Sequence, residues 1–510
     1  MTLRHIEQLT RIHFDLLVCD EAHRLKNYKG KLRECLHSLK ADRRLLLTGT
    51  PIQNDIDEFF SLLHFVRPEI FDDRMAFREL CENTTMMEIR NERIADVILR
   101  RTGEVLSSCL PPKHDYIIFC RPSPRQCIIY DRCTDLLPPD LLQIDILKKL
   151  CSHPYLLYQS ALAKQKNRKS ELSEKVLRLF DNEYKRSPPG IIESGKLFVL
   201  TWLLGHIRCK GESAVIASSY TKTLDMIEAV CVGLRLTVYR LDGTISTRDR
   251  LHIIDEFNKC PHPNKVFLLS TKAGGVGVNL TGASHFILYD SHWNPANDIQ
   301  AMARIWRDGQ VKECHILRLV TTGTIEEKIL QRQIMKTGLG AVISSDCDSV
   351  VDFTEDNDEI RDIFSRNEIT QCETHDRLGC ECGGTGVMSF QNDIGEDSIS
   401  ITNSAEKMEC SPVSAITDDA TNGHDHSSND ALHNEAENDS AEDKPTKAFL
   451  TECDIDKMRE KASLAELYKW KHFSSHNSDF CQSMKKEICS KNICGYDPIT
   501  FVMTFTSRYE

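Results

Sequence analysis

Short apolar runs that alternate with helical patterns constrain this chain more than any other feature. The runs "DLLVCD", "RRLLLTGT", "AVIASSY", "LTVYRLDG", "KVFLLST", "HFILYD" and "CHILRLV" are bounded by turn-forming or polar residues, and helical periodicity separates most of them. Near-continuous apolar runs are the mark of strands buried on both faces, as in parallel sheets covered by helices, so the expected fold class is α/β. The pattern comes in two blocks, residues 1–119 and 191–351. A charged, mostly helical connector at 120–190 separates them and carries "LLQIDILKKLCSHPYLL" and the basic loop "KQKNRK".

The net charge of −12 is concentrated in one place. Residues 383–450 hold 14 Asp and Glu against 3 Lys and Arg, so the rest of the chain is nearly neutral. Any nucleic-acid surface must then be a local basic strip. The same acidic segment is rich in Ser, Asn, Thr and Gly and poor in aromatics, so it is expected to be a disordered linker. Order should resume at 451–510, where "LAELYKWKHF" has the stripe of a small helix docking on the body. The 21 cysteines, among them Cys19, Cys231 and Cys314, sit mostly in apolar contexts, as buried thiols do in a reducing compartment. No run of 18 apolar residues and no leader pattern is present, which makes a cytosolic or nuclear location the default.

Three places carry chemistry. "LLVCDEAH" delivers Asp20 and Glu21 to the carboxyl end of a strand, where one carboxylate can hold magnesium and the next can activate water. "LLLTGTPIQND" repeats the form and offers Thr48, Gln53 and Asn54. In the second block, "STKAGGVGVNL" places Gly274, Gly275 and Gly277 after a strand, where backbone can approach phosphate closely. "WNPANDIQAMARIWRDGQ" puts Arg304 and Arg307 three apart on one helical face, able to reach one phosphate together. Finally, "CETHDRLGCEC" supplies Cys372, His375, Cys380 and Cys382, a donor set suited to tetrahedral zinc. The spacing differs from that of common zinc fingers, and scattered thiols are the alternative.

Taken together, DEAH at 20–23, TGTPIQN at 48–54, LDG at 241–243, STKAGGVGVNL at 270–280, DSHWNPANDIQAMARIWRDGQ at 290–310 and GTIEEKILQRQ at 323–333 resemble the Swi/Snf-type ATPases of helicase superfamily two. Trp306 and Asp308, with "ILRRTGEVLSSCLPPK" and the late "KWKHFS", resemble the recombination-repair branch, the Rad-fifty-four group, and within it the B branch. The resemblance implies two RecA-like lobes and a nuclear, ATP- and Mg²⁺-dependent translocase of double-stranded DNA. Its expected role is in homologous recombination and double-strand break repair, with a strand-exchange recombinase as partner. It further implies that Asp20 binds magnesium, Glu21 activates water, His23 and Gln53 couple nucleotide to motion, and Arg304 and Arg307 act as arginine fingers. Gln300 would join Gly274, Gly275 and Gly277 at the nucleotide. Lys26, Asn27, Lys272, Trp293 and Asn294 would meet DNA. Zinc at residues 352–382 is also implied by the family.

One part of such a motor is missing from the pattern. "GIIESGKL" fits G-x4-G-K, but Leu197 stands where Ser or Thr must ligate magnesium, and no strand precedes it, so Lys196 is rejected as a phosphate lysine. The first lobe is therefore expected to be incomplete. The readings left open are a fragment of an active motor, an ATPase-inactive isoform that binds DNA or partners, and a fold-defective product.

Overall fold

The computed structural model describes residues 5–49, 56–83, 96–99, 101, 104–107, 109–137, 141–167, 171–180, 190–260, 262–271, 277–342, 363–385, 464, 467, 469–475 and 498–507. All of these belong to one compact unit, Met1–Met388 with Glu460–Glu510.

The first block forms a small parallel pair. Strand β1 (His13–Cys19) runs beside β2 (Lys40–Leu46), with Cys19 opposite Leu46. Leu17, Cys19 and Leu46 turn inward onto Leu25, Leu62 and Phe65, and helix α1 (Ile56–Val66) supplies the last two. Leu16, Val18 and Leu45 point the other way and are about half exposed. The apolar runs here predict strands buried on both faces. Among the described residues one face is covered and the other is bare, because the helical layer that packs on this pair lies on one side of it.

The second block builds an eight-stranded sheet among the described residues. In chain order its parts, with the connector helices, are β3 (Lys113–Cys120), α2 (Pro124–Leu136), α3 (Leu141–Ser152), α4 (Pro154–Asn167), α5 (Gly195–Cys209), β4 (Ala214–Ser218), α6 (Thr221–Gly233), β5 (Thr237–Leu241), α7 (Thr247–Lys259), β6 (Lys265–Ser270), β7 (His285–Leu288), α8 (Pro295–Met302), β8 (Cys314–Thr321), α9 (Ile325–Val342), α10 (Glu373–Leu378), β9 (Lys471–Ser474) and β10 (Ile499–Ser507). The strand order is β5-β6-β4-β7-β8-β3-β10-β9. Strands β5 to β3 in that order pair in parallel, and β10 is antiparallel to both β3 and β9. Every residue of β4, β6 and β7 is buried, as continuous apolar runs demand. One core lies under α5 and α6, and a second lies under α7 and α8. The connector helices pack on each other and on Ile325 and Ile329 of α9.

Two boundaries differ from the sequence reading. Residues 113–119 belong to the second sheet, because β3 pairs residue by residue with β8 from Lys113↔Cys314 to Cys120↔Thr321. The 451–510 segment is not helical throughout its described residues, although Leu464 and Leu467 are helical and buried, with Trp470 packed against the same core, as the expected stripe requires. It contributes β9 and β10, and "ITFVMTFTS" has the β-branched and aromatic content that favours a strand. The start of α9 also departs from a standard capping box: Thr324 Oγ1 accepts from the Glu326 N–H at 3.3 Å, while the Glu327 carboxylate takes the Gly323 N–H at 2.7 Å. The expected acidic linker at 383–450 lies outside the described residues apart from 383–385.

Candidate active site

A cavity of about 940 Å³ opens where the carboxyl ends of β4 and β6 meet the turn after β1. Glu21 and His23 enter it from the first block, Ser219 and Thr271 from the ends of β4 and β6, and Gln300 and Arg304 from α8 and the turn after it. The carboxyl edge of a parallel sheet is where side chains can converge without breaking a strand.

Glu21 is held in an unusual way. Its backbone sits in the left-handed region at φ 50°, a conformation that costs a non-glycine residue roughly 1–2 kcal/mol. The next N–H, that of Ala22, bonds to the Leu47 carbonyl beyond β2 at 2.9 Å, and Glu21 N–H donates to Asp20 Oδ1 at 2.8 Å. These contacts fix the turn that throws the Glu21 carboxylate toward the second block. There Oε2 accepts from Gln300 Nε2 at 3.4 Å and lies 3.3 Å from His23 Nδ1.

Arg304 faces the same space with only 7 % of its surface exposed, and its Nε makes no hydrogen bond. Burial, and next the nearby Arg307, lower the pKa of its guanidinium, while Glu21 opposes them. A desolvated cation with an unused donor, beside a cavity, is a place for an anion to bind.

The structure treats the other expected residues unequally. Asp20 is exposed at the mouth of the turn. Arg307 does not line the cavity and reaches the Val278 carbonyl at 3.5 Å. Lys26 pairs with Glu58 at 2.9 Å, and Asn27 Oδ1 closes a turn on Lys29 N–H at 3.1 Å. Trp293 packs on the connector core with the Arg332 guanidinium 5.9 Å from its ring, and Asn294 caps α8 by accepting from Ala296 N–H at 3.1 Å. Gly277 is exposed. Gln53, Asn54, Lys272, Gly274 and Gly275 lie outside the described residues. Lys196 is fully buried, 2.5 Å from Glu326 Oε1 and 2.9 Å from the Tyr289 carbonyl, so its ammonium ties α5 to the core and cannot meet a phosphate. Trp306 donates from Nε1 to the Pro111 carbonyl at 2.9 Å and so anchors the chain entering β3.

Sequence reasoning missed Asp290. This fully buried carboxylate just beyond β7 accepts from Ser219 N–H at 2.8 Å and from the Ser218 hydroxyl, and so holds Ser219, which lines the cavity. The signal was the Ser-Ser pair that follows the apolar run of β4.

A second site lies at the far edge of the sheet. Ligand atoms of His375, Cys380, Cys382 and His472 all fall within 4.8 Å of one another. Cys372 is not in this group: it is the N-cap of α10, its Sγ accepts from His375 N–H at 3.4 Å, and it sits 3.5 Å from Glu327 Oε1. His472, 90 residues beyond Cys382 on β9, takes the place expected for it. His472 Nε2 lies 2.9 Å from the Leu467 carbonyl. A carbonyl can only accept, so Nε2 carries the hydrogen and Nδ1 offers a lone pair, 3.5 Å from Cys382 Sγ. Burial lowers the pKa of His375 and brings that of His472 to about 4, which keeps both rings neutral, as metal ligands must be. Burial pushes the Cys382 thiol up to about 11, a value that a bound cation would reverse. Two thiols and two oriented imidazoles fit a tetrahedral Zn²⁺.

Comparison with known proteins matches the SNF2-related domain to residues 1–179 and the helicase conserved C-terminal domain to residues 196–309. The chain is 42% identical over 432 residues to the human DNA repair and recombination protein RAD54B, covering 76% of this chain and 47% of that one. It is 39% identical over 413 residues to the zebrafish (Danio rerio) DNA repair and recombination protein RAD54-like, covering 74% and 54%. The chain thus spans about half the length of the curated relatives it matches. Among solved structures, the C-terminal part of the Fun30 ATPase domain aligns at 28% identity and a TM-score of 0.35, over 50% of this chain and 98% of that one.

Proposed function

The chain belongs to the Rad54 group of SWI/SNF-type ATPases, and from that premise we propose that it is part of an ATP-driven motor that moves along double-stranded DNA during recombinational repair in the nucleus. The observation that carries this reading is the meeting of Glu21 with Gln300 and Arg304 in one cavity, drawn from segments 279 residues apart. In that arrangement Glu21 accepts a proton from the attacking water, and Gln300 orients its carboxylate. Arg304 meets the charge that develops on the transferred phosphoryl group. Asp20 would hold Mg²⁺, which supplies charge neutralisation at the phosphates when bound. Binding that pulls Arg304 toward Glu21 would close one block on the other, and release would reopen them, which is how hydrolysis can become movement. A strand-exchange recombinase is the proposed protein partner. His375, Cys380, Cys382 and His472 are the proposed zinc ligands, with the ion tying β9 to the 372–385 segment.

The 510 residues contain no G-x4-G-K-[ST], and in this reading another part of the motor would supply the phosphate cradle. The deciding experiment measures ATP hydrolysis with and without double-stranded DNA. One protein is this chain, and the other is the same chain joined to a preceding first-lobe segment that carries such a loop. Hydrolysis stimulated by DNA is expected only in the longer polypeptide. There Glu21→Gln and Arg304→Ala should each lower turnover by about 10³-fold. A longer polypeptide that hydrolyses ATP without regard to DNA, or that is indifferent to both substitutions, would end this reading. DNA binding by the short chain with no turnover in either form would favour a non-enzymatic binding module.

A further inference from the structure

The helix that carries Gln300 shows two contrasting faces. Asn297, Gln300 and Ala301 line the cavity at helical spacing, and Arg304 joins them from the turn beyond the helix. Asp298 points away from it and is only 2 % exposed. An apolar side chain would be the simpler filling for such a position, since a buried carboxylate carries a standing desolvation cost.

The contacts of Asp298 show what that cost is spent on. His292 N–H donates to both of its oxygens, at 3.1 and 2.9 Å, and Gln333 Nε2 of α9 donates to Oδ2 at 2.7 Å. The same Gln333 amide also donates to the His292 carbonyl. One residue of the 291–294 loop is therefore clasped on both its N–H and its C=O. The neighbouring residues of this loop are held too: Lys148 of α3 donates from Nζ to the Ser291 carbonyl at 2.7 Å, and Trp293 packs on the connector core. The loop leads directly into α8, so whatever fixes its position also fixes the rotation of the helix.

We propose that Asp298 and Gln333 are positioning residues that set the rotation of α8, so that Gln300 and Arg304 face Glu21 across the cavity. The proposal rests on the motor reading for its functional meaning, but its geometry does not. The two donors on Asp298, the His292 N–H and the Gln333 amide, favour an acceptor-only group, which is the ionised carboxylate. Burial opposes that state first, Asp290 at the end of β7 adds to it, and Gln333, His292 N–H and Arg318 of β8 favour ionisation; the pKa comes to about 7. The clasp therefore tightens as pH rises through neutrality and loosens as the carboxyl takes up a proton.

Amide hydrogen exchange of residues 292–304 in the 510-residue chain tests this without any need for turnover. At about pH 8 the Asp298→Asn variant should exchange there about tenfold faster than the unsubstituted chain, the factor expected from losing one charge-assisted hydrogen bond. At about pH 6 the gap should narrow to about threefold or less, because the unsubstituted carboxyl is then protonated as well. Gln333→Leu, which removes the amide's share of the clasp without a substitution in α8, should raise exchange in the same residues and leave β4 unchanged. Equal exchange in both variants and the unsubstituted chain would overturn the proposal, as would a gap that does not vary with pH. In the longer, hydrolysing polypeptide, Asp298→Asn should lower kcat by about tenfold to a hundredfold while KM for ATP stays nearly constant. A motor that fails to hydrolyse leaves the exchange result standing, so the two ideas fail separately.

Discussion

Lys196 shows how far one side chain can mislead when it is taken from a pattern. Its Gly-Lys context suggests phosphate, yet its ammonium is enclosed with the Glu326 carboxylate, which also accepts from Thr321 N–H at 3.0 Å and Thr321 Oγ1 at 2.8 Å. Removing only the cation leaves a buried charge without its partner, so Lys196→Met should destabilise the chain by about 3–5 kcal/mol, read as a lower urea midpoint. Glu326→Gln in the same chain should recover part of that loss, because the uncompensated charge is then gone. Full stability in Lys196→Met would mean the pair is not enclosed. The Leu197 that follows Lys196 already argued against a phosphate loop; that the lysine has a structural partner was not visible, because Glu326 lies 130 residues away.

At the scale of elements, three adjacent strands carry a row of imidazoles. His315 on β8 stacks on His114 of β3 with ring centroids 5.1 Å apart, and on His285 of β7 at 4.8 Å. Register places all three side by side, with His114↔His315 and His285↔His315 as partners. His285 is pushed down to about 3, chiefly by burial and then by His315, Lys210 and His206, and burial lowers His315 as well. The unfolded chain binds the proton that the buried ring refuses, so this stability is complete above the usual imidazole pKa of 6.5 and is lost as pH falls below it. By about pH 5 the loss attributable to His285 should reach about 2 kcal/mol. Thermal melts at neutral and acidic pH should show a smaller acid loss in His285→Phe than in the unsubstituted chain; equal losses would remove His285 from the account. No sequence window contains this row, since it arises from strand register alone.

Considered as a whole, the molecule uses its C-terminal residues to finish a sheet begun far upstream. β10 pairs with β3 along its length, and Thr322 and Thr500 share a hydrogen bond at 2.7 Å. The His and Cys group then joins β9 to the α10 segment. Elemental analysis should find about one zinc per chain, retained in Cys372→Ala and lost in His472→Ala and Cys382→Ser. Loss in Cys372→Ala with retention in His472→Ala would restore the ligand set expected from the sequence cluster at 372–382. The sequence by itself determined the α/β class, the strands β4 to β8 and the placement of Glu21 at a strand end, because these follow from local apolar runs and short-range motif spacing. Tertiary structure decided the rest: that β3 belongs to the second sheet, that His472 and not Cys372 lies with His375, Cys380 and Cys382, that Arg304 sits in the turn beyond α8 rather than on a helical face with Arg307 and alone of the two lines the cavity, and that Asp298 faces away from it. Each of these depends on contacts between residues distant in sequence or on which face of a helix is turned inward, and neither is encoded in any single stretch of residues.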